Sequence, residues 1–425
     1  MYGITARGAW ECVRRHFHDL GLHYESEPFS VIGIGDMSGD VFGNGLLMSD
    51  KAKLIGAFNH KHIFIDPSPD PAISFAERKR LFETPHTQWS DYDKNLISEG
   101  GGVFGRFDKE ISLTPQIRTA LGLKDDTPPT INGEELIALM LQAPCDLLWN
   151  GGIGTYVKAS SESHVDVNDR HNDRVRINAD QLRARVIGEG GNLGLTQKAR
   201  VEAGLAGVAL NTDAIDNSAG VDLSDHEVNL KILFAEMIRE KTLTVEQRDS
   251  LMLEIAHEVT QQVLDHNRNH SVLLSLSVNR SKKSLSYIKS LLRDLSRLGY
   301  VSRRHLVLPD DATLEERDQR HLGLSRPELS VCVASVKMWI KDILSSSNLI
   351  QDPVFKRYLV EYFPTTIRHR FPKEVLKHPL WENIIATEVT SKLVDAVGIT
   401  FVHRMCSNHS VPPLTVLKCA LAADV

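Results

Sequence analysis

The segment Phe29-Ser-Val-Ile-Gly-Ile-Gly-Asp-Met-Ser-Gly-Asp-Val-Phe-Gly-Asn44 constrains this chain more than any other. Its short apolar run, Phe29 to Ile34, reads as a buried parallel strand. A glycine-dense turn follows, and an amphipathic stretch starts at about Gly39. Strand, turn and helix in that order aim a helix N-terminus, with unpaired N–H groups and a positive dipole end, at a pyrophosphate. Gly33 would allow the tight turn, and Gly35 would let the backbone approach the phosphates. The third glycine is displaced, because Ser38 stands in its usual place and Gly39 follows. Taken alone, the pattern fits an ordinary glycine-rich turn about as well.

The chain has 425 residues, which predicts two or three domains. A hydrophobic fraction of 42% is enough for substantial cores. The formal net charge of −6 weighs against non-specific nucleic-acid binding. No apolar run approaches the roughly 18 residues of a membrane span, and the start carries no signal-peptide pattern. Cys12, Cys145, Cys332, Cys406 and Cys419 are scattered without CxxC spacing, as expected of reduced thiols in a cytoplasmic protein.

The first half alternates strand-like and helix-like segments. Expected strands are Phe29–Ile34, Lys53–Phe58, His62–Asp66, Cys145–Trp149, Arg185–Gly188 and Gly207–Leu210. Expected helices include Ile4–Asp19, Phe75–Leu81, Gly133–Leu141 and Thr196–Ala203. Such alternation predicts an α/β, doubly wound, mostly parallel Rossmann-like sheet over residues 1–230. The rest, 231–425, has helical period and predicts an all-helical domain. Leu285, Ile288, Leu291, Leu292, Leu295 and Leu298 form one apolar face with Gly299 as the stop. Thr244 with Gln247, and Ser325 with Glu328, resemble capping boxes. The polar stretch from Ser161 to Arg176 reads as a surface excursion. Both ends look unfinished, which predicts a piece of a longer polypeptide.

Four further segments bear on the opening turn. Gly3-Ile-Thr-Ala-Arg-Gly-Ala-Trp10 starts a helix with a hydroxyl, and Thr5 standing alone reads as an N-cap. Cys145-Asp-Leu-Leu-Trp-Asn-Gly-Gly-Ile-Gly-Thr155 ends a strand in polar residues, so Asn150 and Gly151 stand where doubly wound sheets bind ligands. Val186-Ile-Gly-Glu-Gly-Gly-Asn-Leu-Gly-Leu-Thr196 places Glu189 and Asn192 after another strand. In Thr212–Glu227, Asn217 could bond an amide and Ser224 a carboxylate, although Ser224 with Glu227 also fits a capping box. His60 and His62 flank Lys61 on a strand-like stretch, but without a third ligand they define no metal site. Glu99-Gly-Gly-Gly-Val-Phe-Gly105 could cradle phosphate but reads better as a flexible surface loop. The basic residues Arg303, Arg304, Arg317 and Arg320, interleaved with Glu315, Glu316 and Asp318, read as a solvated face.

Together these segments resemble the C-terminal, cofactor-binding part of the large class of bacterial NAD-dependent glutamate dehydrogenases. The resemblance rests on Gly33-Ile-Gly-Asp-Met-Ser-Gly-Asp-Val-Phe-Gly-Asn-Gly45, Asn150-Gly-Gly-Ile-Gly-Thr-Tyr-Val157, Glu189-Gly-Gly-Asn-Leu-Gly194 and Asn217-Ser-Ala-Gly-Val221 with Ser224. It implies NAD-dependent oxidative deamination of L-glutamate to 2-oxoglutarate and ammonia, in a cytoplasmic homo-oligomer. Carried over residue by residue, Thr5 and Asn192 would contact the nicotinamide end. Asn217 would bind near the nicotinamide and its ribose. Gly33, Gly35, Asp36, Met37 and Ser38 would hold the pyrophosphate, and Ser224 the substrate side-chain carboxylate.

Two departures matter. The acid that usually ends the second strand and holds the adenosine ribose is here Asn59, with Lys61 nearby, so NAD over NADP rests on the resemblance. The family's catalytic lysine, in a Gly-x-Lys-Gly-Gly segment, and its catalytic aspartate have no counterpart in this sequence, so no catalytic residue is assigned. Two rival readings remain. One is a related dehydrogenase acting on leucine, valine or phenylalanine, which a polar Ser224 disfavours. The other is a non-catalytic nucleotide-binding or assembly module.

Overall fold

A computed structural model describes residues 3–283 and 285–423. They divide into two compact units. The first runs to Gly220 and adds Ser325–Pro327; the second comprises Val221–Leu324 and the residues from Glu328 on. The division falls at Gly220, inside the helix Ser218–Arg239, whereas the sequence placed the boundary at residue 230.

The first unit is built on a six-stranded sheet. Its strands are β1 (Phe29–Ile34), β2 (Ala52–Phe58), β3 (His62–Ile65), β4 (Gly102–Gly105), β5 (Cys145–Asn150) and β6 (Ala184–Glu189). The spatial order is β6-β5-β1-β2-β3-β4. Strands β6, β5, β1 and β2 are parallel, and β3 is antiparallel to both β2 and β4. The chain leaves β1 for β2 on one side and later returns to β5 and β6 on the other, which is doubly wound topology.

Successive β1 side chains enter opposite cores, as the two-residue period of a strand requires. Phe29 and Val31 pack with Ala9, Trp10, Val13 and Phe17 of α1 (Ile4–Asp19) and with Phe42 and Leu46 of α2 (Asp40–Leu46). Ile32 and Ile34 pack on the other face with Leu136, Ile137 and Met140 of the helix Gly133–Leu141. Apart from Ser30, whose hydroxyl bonds Asp146, the run carries no polar side chain because both faces are covered.

Three expectations need correction. Gly207–Leu210 is no strand; Ala209 makes a single bridge to Val186. The stretch read as a flexible loop contains the edge strand β4, whose four residues are too short and glycine-rich to show a period. Thr5 is not an N-cap: Gly3 holds that position without a side-chain bond, and Thr5 lies in the first helical turn.

The second unit is helical. Thr244 and Gln247 form the expected capping box (2.9 and 3.2 Å) at the head of α3 (Val245–Lys283). Leu285, Ile288, Leu291, Leu292 and Leu295 of Leu285–Arg297 are buried as expected, while Leu298 lies beyond the helix and is exposed.

Glycines in the nucleotide-type motif make room for one ring. A Cβ on Gly33 would stand 2.6 Å from Phe42 Cε2. Gly33→Ala should therefore cost about 1–3 kcal/mol by overpacking. In urea unfolding, the double variant Gly33→Ala/Phe42→Leu should be less destabilised than the sum of the single variants. Strict additivity would show that this contact does not limit the packing.

Candidate functional site

A crevice in a doubly wound sheet opens beyond the carboxyl ends of the strands where the winding reverses. Here that point lies between β1 and β5, where Ile34 pairs with Asn150 and the Gly151 N–H donates to Ile34 O (3.0 Å). Gly35 ends β1 with φ +136°, a conformation L side chains rarely adopt. Its N–H donates to Phe58 O (2.7 Å), and its carbonyl accepts from Trp89 Nε1 (2.9 Å). The turn is thus anchored by protein on both of its polar groups.

Asp36 follows. One carboxylate oxygen accepts from Ser38 Oγ (2.6 Å) and the other from Asn59 Nδ2 (3.0 Å). Asn59 Oδ1 in turn accepts the N–H groups of Lys61 and His62 (both 2.8 Å), which fixes the β2–β3 hairpin. His60 and His62 are separated by that turn and do not share a strand. The Met37 side chain is buried in the core, so only its backbone can meet a ligand. The Met37 and Ser38 N–H groups have no partner among the described residues. They are the donors this turn can offer an anion.

Across the switch point, Asn150 is buried, and its Nδ2 has no hydrogen-bond partner among the described residues. Gly194 lies so close that a Cβ there would fall on Asn150 Nδ2. In the same loop, Asn192 Oδ1 accepts from Asn217 Nδ2 (2.5 Å). Thr5 Oγ1 lies where a Cβ on Gly220 would project. The structure therefore gathers Asp36, Ser38 and Asn59 into one group and Asn192 with Asn217 into another. Ser224 is exposed on the helix Ser218–Arg239 and belongs to the second unit.

The loop carrying Asn192 is set by a buried ion cluster. Glu189 ends β6 and takes two bonds from Arg200 (2.7 and 3.0 Å). Arg200 also reaches Asp213 at 3.0 Å, and Asp213 accepts the Leu193 N–H (2.8 Å). Burial lowers the Arg200 pKa, but the two carboxylates outweigh it and raise the value overall. Asp216 beneath accepts from the Glu189 N–H (2.9 Å) and Asn211 Nδ2 (2.8 Å).

Beside these groups opens a pocket of about 840 Å³, with His60, Arg106, Tyr156, Asp169 and Asn192 among its lining residues. Phe107, Ile153 and Leu193 line it too and are among the exposed large apolar side chains. The buried Arg106 guanidinium donates to Asn172 Oδ1 (3.1 Å), and its Nε has no partner among the described residues. Burial opposes ionisation of Asp169, but bonds from Asn172 Nδ2 and the Thr155 N–H (both 2.8 Å) outweigh it and hold its pKa below the usual value. Part of the polar stretch read as a surface excursion, notably Asn172 and Arg176, is buried. Sequence reasoning missed Arg106, Asp169, Arg200 and Asp213, because each stands alone in sequence and acquires partners only through the fold.

Residues 1–277 match the family profile described as bacterial NAD-glutamate dehydrogenase, catalytic domain. Residues 321–425 match the one described as glutamate dehydrogenase, C-terminal. The chain is 46% identical over 425 residues to the NAD-specific glutamate dehydrogenase of Mycobacterium tuberculosis, covering 99% of this chain and 26% of that protein. Proteins of the same description from Halomonas elongata and Pseudomonas aeruginosa are 47% and 48% identical, each over 95% of this chain and 25% of the relative. The chain therefore spans about a quarter of the length of these relatives. The solved glutamate dehydrogenase of Plasmodium falciparum superposes with a TM-score of 0.36 at 15% identity, over 68% of this chain and 46% of that one. That overlap is too loose to carry residue correspondences.

The buried acid gives a pH test. Burial pushes Asp216 up to about 7. Its folded pKa thus exceeds the ordinary value near 3.9, so its stabilising contribution is full below about pH 4 and lost as pH rises towards 7. Asp216→Asn removes this loss. The stability of the variant relative to the parent should improve by about 1–3 kcal/mol between pH 5 and pH 8 in denaturant unfolding. A difference that stays flat with pH would mean that Asp216 titrates normally.

Proposed function

This chain belongs to the bacterial NAD-glutamate dehydrogenase family, and on that premise we propose that its first unit holds NAD for the oxidative deamination of L-glutamate to 2-oxoglutarate and ammonia. The observation that carries the proposal is the pairing of Asn192 with Asn217 beside the buried Asn150 Nδ2, which has no partner among the described residues, at the switch point of the sheet. Unpartnered buried amides are rare, because each costs about 1–3 kcal/mol unless something bonds it. A bound dinucleotide supplies the acceptors such donors lack, so the residues fit the cofactor.

In this reading the Met37 and Ser38 N–H groups meet the pyrophosphate. The apolar rim of Phe107, Ile153 and Leu193 suits a flat heteroaromatic ring. Asn192, Asn217 and Thr5 orient the nicotinamide end, and Ser224 takes the side-chain carboxylate of glutamate. NAD, when bound, accepts the hydride from the substrate α-carbon. This chain contributes orientation and binding, which account for much of the barrier reduction in such transfers. The lysine and aspartate that move protons lie elsewhere in the longer polypeptide, a cytoplasmic homo-oligomer.

Asp36 revises the cofactor argument. Asn59 follows β2 where an acid usually repels the 2′-phosphate of NADP, but its Nδ2 bonds the Asp36 carboxylate (3.0 Å). The negative charge is thus present, supplied from the turn instead of the strand end.

Two outcomes follow for the full-length polypeptide. Asp36→Asn should shift the ratio of NADP to NAD affinity towards NADP by about tenfold, roughly 1.4 kcal/mol, in calorimetry. An unchanged ratio would remove Asp36 from the adenosine site. Ser224→Ala should chiefly raise the Michaelis constant for glutamate, because the contact is to a non-reacting group. The 425-residue chain alone should bind NAD weakly without glutamate-dependent reduction, and robust turnover by it would overturn this division of roles.

A further inference from the structure

The second unit contains a group that the cofactor reading does not use. Asp222 and His226 stand one helical turn apart on Ser218–Arg239, and His266 faces them from α3. His266 Nδ1 is 2.7 Å from Asp222 Oδ2, and His226 Nε2 is 3.7 Å from Asp222 Oδ1. One donor atom from each of the three residues lies within 4.8 Å of the others. His226 is 2% exposed, yet neither ring nitrogen has a hydrogen-bond partner among the described residues. Its ring stacks on Tyr362 at 4.4 Å and 10°, and Asn229 Nδ2 bonds the Tyr362 hydroxyl (2.8 Å). The imidazole is therefore held in a fixed plane with a nitrogen directed at the Asp222 carboxylate.

We propose that Asp222, His226 and His266 form a binding site for a zinc-class divalent ion. Metal–nitrogen bonds of about 2.0–2.1 Å in a tetrahedron require donors about 3.3 Å apart. The imidazole nitrogens stand 2.7 Å from Asp222 Oδ2 and 3.7 Å from Asp222 Oδ1, close enough for small side-chain adjustments to reach that spacing. Two imidazoles and one carboxylate favour zinc, cobalt or nickel over magnesium or calcium, which prefer all-oxygen shells. Three protein ligands leave one position open. Burial lowers the His226 pKa to about 4, so its ring is neutral and ready to ligate at neutral pH. Burial also lowers the His266 pKa, but its bond to Asp222 outweighs burial and raises it overall. Glu388 and Lys337 are the charged groups next to His266, of opposite sign to one another. The site lies wholly in the helical unit and does not depend on the cofactor assignment.

The test uses the full-length protein, purified without a histidine tag and stripped with a chelator. Cobalt(II) titration should develop the visible absorption of a tetrahedral ion with a component of one equivalent per chain, displaced by zinc. His266→Gln and Asp222→Asn, each checked for folding by circular dichroism, should lose that component, with affinity falling at least about tenfold. Thermal unfolding of the parent should shift upward with zinc, and that of the variants should not. The proposal fails if no cobalt spectrum develops, or if both folded variants retain the parent's spectrum and zinc-dependent shift.

Discussion

One aromatic ring fixes how the nucleotide-type half is assembled. Phe42, in the first turn of α2, lies against the backbone of β1 and of the segment after β5. A Cβ on Gly33 or Gly35 would stand 2.6 Å from its ring, and one on Gly151 would stand 2.6 Å from its Cα. Glycine at these positions lets the helix settle directly onto the strand ends. The same closeness anchors the Asp36 turn and brings it next to Asn150 at the switch point. Glycines expected from the sequence to approach a phosphate thus also serve helix–strand packing. Only Gly35, at φ +136°, also needs glycine for its backbone.

The far side of the crevice has a different support. There the loops are polar and would be free to move, were it not for Arg200. It joins Glu189 at the end of β6 to Asp213 at the head of the next segment, and Asp213 holds the Leu193 N–H. A buried ion pair contributes little net stability, because desolvation offsets most of the attraction. Its value here is positional: it sets the spacing between the loop of Asn192 and that of Asn217. Removing one partner would leave a buried charge and release both loops together.

The fold was legible where periodicity and burial agree. Phe29–Ile34 is apolar but for Ser30 because it is covered on both faces, and its bounds were read correctly. Gly102–Gly105 was not legible, since an edge strand pairs through its backbone and needs no side-chain pattern. Gly207–Leu210 misled because its pairing with the sheet stops at one bridge, from Ala209 to Val186. Candidate site residues were found where they followed strands in glycine-rich turns. Arg106, Arg200 and Asp213 were not, because a charged residue on one helix or loop says nothing in sequence about a partner far along the chain. His226 and His266 lie far apart in sequence, and α3 supplies the juxtaposition.

The central claim is that the strand ends around the switch point form the dinucleotide site. Hydrogen exchange of the chain with and without saturating NAD tests it most directly. Slowed exchange should appear in the segments around Asp36–Gly39, Gly151–Thr155, Gly190–Gly194 and Asn217, with little change in α3 or the helices that follow it. Protection confined to the helical unit, or none at a concentration where calorimetry shows binding, would contradict the account.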